Sequence, residues 1–324
     1  MHTHPTVGRY SSRGIAVFVA CLMFASAPVA LAQQTGTPAE PAVSTLPVDI
    51  ELTSWGRLGG ITVDALGYIY TTAFGDTLWR IYPDGEGEVL ADGFYGASGN
   101  AIDINGDVLQ SEFFTNSIYR VTRSGDKSLV TNEGLNGPVA IAVDAEGVMF
   151  VANCNDGSVV RVERDGTAST FSRSELYNCP NGIIFDDQGD LYMVNFQNDH
   201  LVKVDAEGNA SIHTTIEPAG GWPQSALDRN VRGNAHLVFV NGNFYVTKIK
   251  SHSLWRVGRD DGSVEMITGN YQYGLVDGPL AEASLGAPNG IAANRGVLYM
   301  NNIDGIWGRL ARARLVIRKV TLPQ

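Results

Sequence analysis

The chain has 324 residues, 44% of them hydrophobic and 18% charged, and a formal net charge of −11. That length supports a large core. The acidity sets aside nucleic acid and anionic lipid as partners.

The first 32 residues read as a leader. Arg9 and Arg13 precede an apolar stretch over residues 15–27, and Ala30-Leu31-Ala32 forms a small-x-small cleavage site before Gln33. The pattern predicts a secreted or periplasmic protein cleaved after Ala32. The apolar run is too short to span a bilayer comfortably. Cys21, after Val19 and Ala20, offers an alternative acylated leader, although Phe18 suits that motif poorly. Residues 33–45, rich in Gln, Thr, Pro, Ala and Ser, read as a flexible linker, which leaves 46–324 as the folded domain.

Six segments of that domain share one grammar: a small or polar residue, a short apolar run, a Gly turn, a second apolar run, then a tight turn into a strand ending in a basic and an aliphatic residue. The copies open at Gly59 (GGITVDALGYIY), Asn100 (NAIDINGDVLQ), Val139 (in PVAIAVDAEGVMFVAN), Asn181 (in PNGIIFDDQGDLYMVN), His236 (HLVFVNGNFYV) and Asn289 (NGIAANRGVLYM). Spacings of roughly 40 residues, stretching to roughly 54 in the last two intervals, predict an all-β, six-bladed propeller of four-stranded blades. Nothing after Arg318-Lys319-Val320 supplies a last outer strand. Val48-Asp49-Ile50-Glu51-Leu52 alternates like one, so the N-terminal strand is expected to complete the sixth blade and close the ring. The repeated basic residue (Arg80, Arg120, Arg161, Lys203, Arg256) reads as structural.

Three insertions, over residues 216–235, 268–288 and 303–312, fall on connections that share one face of a propeller. They suggest a lid or binding wall. Trp222, Tyr271, Tyr273 and Trp307 would give it aromatic surface or simply pack the loops. The two cysteines after the leader fall on one face of neighbouring blades. Cys154 just follows the second strand of blade three and Cys179 just precedes the first strand of blade four, so a disulfide is expected.

The first position of each innermost strand is expected at the channel mouth, together with the last position of the second strand: Ala73, Glu112, Asn153, Asn195, Lys248 and Asn302. Convergent polar groups there predict a small-ligand site built from Asn100, Asn153, Asn181, Asn195, Asn289, Asn302 and Trp222. Glu112, His236 and Lys248 are the candidate catalytic groups: carboxylate base, imidazole base and oxyanion or acid holder. The alternative is a structural Glu112–Lys248 ion pair with His236 bonded to a carbonyl. Asp103 lies within an inner strand and reads as structural, or as support for a metal. There is no G-x-S-x-G, no H-E-x-x-H and no phosphate loop.

DGPLAEASLGAPNGIA (residues 277–292), followed by LYMNN and RLVIRKV, resembles NHL repeats. PNGIIFDDQGDLYMVN from Pro180 resembles the senescence-marker-protein and gluconolactonase propellers. The resemblance spans nearly all of 46–324 and implies the six-bladed fold, which hosts binders, hydrolases and lyases. It also implies a divalent metal, often calcium, held by a Glu opening blade one, Asn residues opening blades three and four and an Asp opening blade five. Those places hold Gly59, Val139, Asn181 and His236, so Asn181 alone is retained. Any metal would then draw on Asn181, Glu112 and His236. Two functions follow as expectations: a metal-assisted or base-assisted hydrolase of lactones or esters, and a non-catalytic binding propeller. A lyase using the same groups is a third.

Overall fold

The computed structural model describes residues 40–52, 58–227, 230, 232–305 and 313–322, without the side chains of 226 and 227. The leader, its cleavage site and Trp307 lie outside them.

Five copies of the repeat become antiparallel four-stranded sheets and the sixth a larger one, and six sheets arranged about one axis make a six-bladed β-propeller. Strands are lettered A to D from the channel outward. Blade one holds Ile61–Val63, Ile69–Thr72, Leu78–Ile81 and Gly87–Ala91. Blade two holds Ala97–Ile102, Val108–Glu112, Ser117–Val121 and Lys127–Thr131. Blade three runs from Pro138–Val143 through Met149–Asn153 and Ser158–Val162 to Ala168–Arg173. Blade four runs from Pro180–Phe185 through Leu191–Asn195 and His200–Val204 to Ala210–Thr215. Blade five comprises Leu237–Val240, Asn243–Lys248, Ser253–Gly258 and Val264–Gly269.

Blade six joins both ends of the fold. Its A, B and C strands are Ile291–Asn294, Val297–Asp304 and Ala313–Thr321, and its D strand is Ala42–Leu46, paired from Ala42↔Thr321 to Leu46↔Ile317. Glu51–Leu52 resumes pairing with the same C strand at Arg314 and Ala313. The closing strand therefore begins ahead of the expected Val48–Leu52, and residues 42–45, assigned above to a linker, belong to the sheet. The insertion after blade five adds Gly278–Pro279 outside Ala42–Leu46.

The packing explains why a repeat that cannot bury its own two faces is stable in a ring. Each seam between neighbouring blades holds one apolar cluster. Ile61, Ile69 and Ile81 of blade one meet Ile303, Leu315 and Ile317 of blade six, with Leu46, Ile50 and Leu52 of the closing segment added. Leu109 and Ile118 of blade two meet Ile141, Met149 and Val151 of blade three.

An aspartate caps the A–B turn in four blades. Asp64, Asp103, Asp144 and Asp186 each accept the backbone N–H groups two and four residues on. Asp103 also receives Arg120 Nε at 3.0 Å, so its place inside a polar turn is structural. Near the axis the A strands crowd. A Cβ on Gly99 would stand 2.1 Å from Val139 O, so only glycine lets these two backbones approach.

Candidate functional site

The Asp-capped turn sets the register of the inner ring. Five residues before Asp64, Asp103, Asp144 and Asp186 stand Gly59, Ser98, Val139 and Asn181. Asn241 and Asn294 hold the same slot in blades five and six, which places His236 and Asn289 in the ring. A cavity of about 860 Å³ opens above it, and Ser98, Val139, Asn181, His236 and Asn289 line it. In blade two the ring residue is thus Ser98. Asn100 lies two positions farther along, past a register shift, its Nδ2 3.4 Å from Tyr70 O, and is not part of the wall.

The expected second ring is displaced by one residue. Strand side chains alternate, so a one-residue slip exchanges the two faces. Glu112, Asn153, Asn195, Lys248 and Asn302 are all buried and turned away from the cavity. The residues one place beyond the expected positions face it instead: Phe74, Phe113, Cys154, Phe196 and Ile249. The site has a polar floor and an apolar collar.

Three of the five displaced residues hold the link that enters their own blade, and Lys248 reaches its link through Asp199 of blade four. Glu112 Oε1 accepts Tyr95 N–H at 2.6 Å, and its other oxygen accepts the Thr115 hydroxyl. Asn153 Nδ2 donates to Gly134 O at 3.1 Å. Asn195 donates to Leu176 O and accepts Asn178 N–H. Lys248 Nζ donates to Asp199 Oδ1 at 2.6 Å, and the same oxygen accepts Gly233 N–H at 2.9 Å. Asn302 Nδ2 donates within its own strand to Met300 O. Burial pulls the Lys248 ammonium down to about 8 against the opposing pull of Asp199. The Glu112–Lys248 ion pair, the alternative to catalytic roles, does not form, because the lysine's partner is Asp199. Neither Glu112 nor Lys248 reaches the cavity, so the catalytic roles assigned to them above are withdrawn.

Trp222 is also corrected. It is buried, its Nε1 donates to Asp199 Oδ2 at 3.2 Å, and its ring packs against Trp255 and Tyr271 while the Lys248 ammonium lies 5.0 Å from its centroid. It anchors the insertion between blades four and five. Tyr273, from the next insertion, does line the cavity, held by a 2.8 Å hydrogen bond from its hydroxyl to Ile303 O.

His236 sits on the floor with only 9% of its surface exposed, and burial pushes its imidazole down to about 4. It is neutral at physiological pH. Among the described residues its ring has no hydrogen-bond partner. Asn181 donates to Ala235 O at 2.6 Å and Asn289 to Leu58 and Gly59 O at 2.8 Å, which turns each amide's oxygen into the remaining free acceptor. Two further nitrogen groups come from the B–C turn of blade five: Lys250, its ammonium 5.5 Å from the Phe196 ring, and His252, whose Nδ1 accepts Ala287 N–H.

These side chains do not make a metal centre. Gly59 and Val139 offer no side-chain donor and the Glu112 carboxylate is held by Tyr95 N–H and the Thr115 hydroxyl, which leaves the neutral amide oxygens of Asn181 and Asn289 beside the His236 ring. No carboxylate lines the cavity among the described residues, whereas a hard cation draws on several oxygens and on anionic charge.

Cys154 and Cys179 form a disulfide with their Cα atoms 3.9 Å apart, tying blade three to blade four at the rim. The pair lines the main cavity on one side and, on the other, an open polar hollow of about 540 Å³ that also contains Asp156, Arg173 and Glu175.

No protein-family model matches the chain, and no curated protein matches it. Solved structures share the fold. An auxiliary nutrient binding protein from Bacteroides ovatus superposes with a TM-score of 0.66 at 16% identity, over 87% of this chain and 76% of that one. A gluconolactonase from Xanthomonas campestris gives 0.60 at 14% identity, over 88% and 99%. Virginiamycin B lyase from Staphylococcus aureus gives 0.58 at 14% identity, over 88% and 100%.

Proposed function

We propose that the chain is an exported six-bladed propeller that binds a small, largely apolar organic molecule at the channel mouth. The observation that carries this reading is the cavity: about 860 Å³, walled mainly by aromatic and aliphatic side chains, with a few hydrogen-bonding groups converging on its floor. Export is supported by the leader pattern and by the Cys154–Cys179 disulfide, a bond that persists in oxidising compartments. Fold partners that include a nutrient binding protein accord with capture of a small ligand.

A second reading, a hydrolase or lyase on the same cavity, is favoured by one feature: a neutral imidazole on the floor, without a protein partner among the described residues. Its depressed pKa makes it a weak base, since a general base works best with a pKa near the operating pH. That places the binding reading first.

The test uses N-phenyl-1-naphthylamine, a neutral apolar fluorophore, titrated into the protein and into Val139→Trp, in which an indole fills the cavity. Saturable binding to the parent and its loss in the variant are expected. Equal binding to both rejects the site. Turnover of a lactone and ester panel, abolished by His236→Ala with probe binding retained, would move the assignment to the enzyme.

A further inference from the structure

The ring is polarised across its diameter. Blades two and five are three places apart in a circle of six, and so face each other over the cavity. At blade five stands Lys250. It lines the cavity, and among the described residues no carboxylate lies within ion-pair distance of its ammonium. Several blade cations are paired instead, as in Arg80–Glu88, Lys203–Asp190 and Arg256–Glu265.

On the opposite side is an aromatic ledge. Phe74 and Phe113 form part of the cavity wall, and Phe114 and Tyr95 continue it outward, with ring centroids 5.0–5.6 Å apart along the series. Phe114 and Tyr95 are 53% and 66% exposed. Contiguous exposed aromatic surface of this kind marks an interaction site. Phe74 also holds a left-handed backbone, φ 52°, which disfavours a bulky residue and persists only where surrounding structure imposes it.

We infer that the ligand is an organic anion with a flat apolar body: its acid group lodges against Lys250, and its body crosses the floor to lie on the ledge of Phe74, Phe113, Phe114 and Tyr95. The inference rests on the ligand-binding reading above and adds the chemical class. Neutral His236 and the free amide oxygens of Asn181 and Asn289 carry no charge, so Lys250 is the group that selects for an anion. The absence of lining carboxylates among the described residues removes the repulsion that the chain's overall charge would otherwise impose. Phe74 and Phe113 line the same cavity as Lys250, and Phe114 and Tyr95 extend that wall outward.

The experiment compares two probes with the same ring system, 8-anilinonaphthalene-1-sulfonate and the neutral N-phenyl-1-naphthylamine, by fluorescence titration at low salt. The sulfonate is expected to bind about tenfold more tightly, the scale of one charge-assisted contact. Lys250→Met is expected to abolish that preference while leaving the neutral probe within about twofold, and Phe114→Ala to weaken both probes about threefold. Equal affinities in the parent, or a sulfonate affinity unchanged by Lys250→Met, would overturn the inference while neutral-probe binding left the cavity reading intact. If neither probe binds, or both bind Val139→Trp as well as the parent, the cavity reading fails and the inference with it.

Discussion

Arg318 Nη2 donates to Asp277 Oδ1 at 2.8 Å, and the same carboxylate accepts the backbone N–H and hydroxyl of Thr45. One side chain from the blade-five insertion thus grips both the penultimate stretch of the chain and the strand that closes the ring. The buried guanidinium also donates to Ser284 and Val276 carbonyls at 2.9 Å. Asp277→Ala is expected to lower unfolding stability by about 2 kcal/mol, the scale of hydrogen bonds to a charged group. Urea denaturation should show a lower midpoint with an unchanged slope; an unmoved midpoint would remove Asp277 from the closure.

Lys248 and Asp199 form a buried pair, and without the lysine the carboxylate keeps Trp222 Nε1, Gly233 N–H and, 3.8 Å away, the more exposed Arg232. Lys248→Met alone is expected to cost about 3 kcal/mol, and Lys248→Met with Asp199→Asn to recover part of it, because the amide oxygen still accepts the Gly233 N–H while the buried charge is gone. Folded Lys248→Met protein, selected at low temperature, should bind the neutral probe as the parent does. Loss of that binding with the stability intact would restore a direct role for the lysine.

Acid stability should report His236. The unfolded imidazole keeps a pKa near 6.5 while the folded one is pushed down to about 4. Between those values the unfolded chain holds a proton that the folded chain refuses. The contribution is therefore intact above about pH 6.5 and is lost progressively towards pH 4, by up to about 3 kcal/mol. His236→Asn should flatten that part of the melting-temperature profile; a profile identical to the parent's would show an ordinary imidazole.

The Cys154–Cys179 bridge closes a loop with a sequence separation of 25. Cys154→Ser with Cys179→Ser is expected to lower stability by about 3 kcal/mol, through the freedom returned to the unfolded chain. Guanidinium unfolding of the double variant against the oxidised parent measures it.

Much of this architecture is legible in the residues. Alternating strands around Gly turns specify blades, and the capping aspartates fix which inner residue meets the axis, because a turn that must accept two N–H groups tolerates few substitutes. Asn181 can be placed from that, and His236 and Asn289 from Asn241 and Asn294, which stand in the same slot. Asn100 misleads because it is polar and near the right place, whereas counting back from Asp103 leads to Ser98. The second ring misleads for a different reason. Glu112, Asn153 and Asn195 stand out as polar residues at the ends of apolar strands, but they are polar because descending links need hydrogen-bond partners. The residues that do face the cavity, Phe74, Phe113, Phe196 and Ile249, look like ordinary core and carry no mark in a linear reading. Lys250, outside the repeat, is visible only once the blade-five turn is seen to overhang the opening.

Pairing Ala42–Leu46 with Ala313–Thr321 also sets an order of events during synthesis. Ala42–Leu46 precedes all five complete blades in the chain, and its partner Ala313–Thr321 follows them. Until that partner emerges, the growing arc of blades has a free edge at each end, open to pairing with other nascent chains. The cavity takes side chains from all six blades. The wall of that cavity is therefore complete only once Ala313–Thr321 has emerged and paired with Ala42–Leu46.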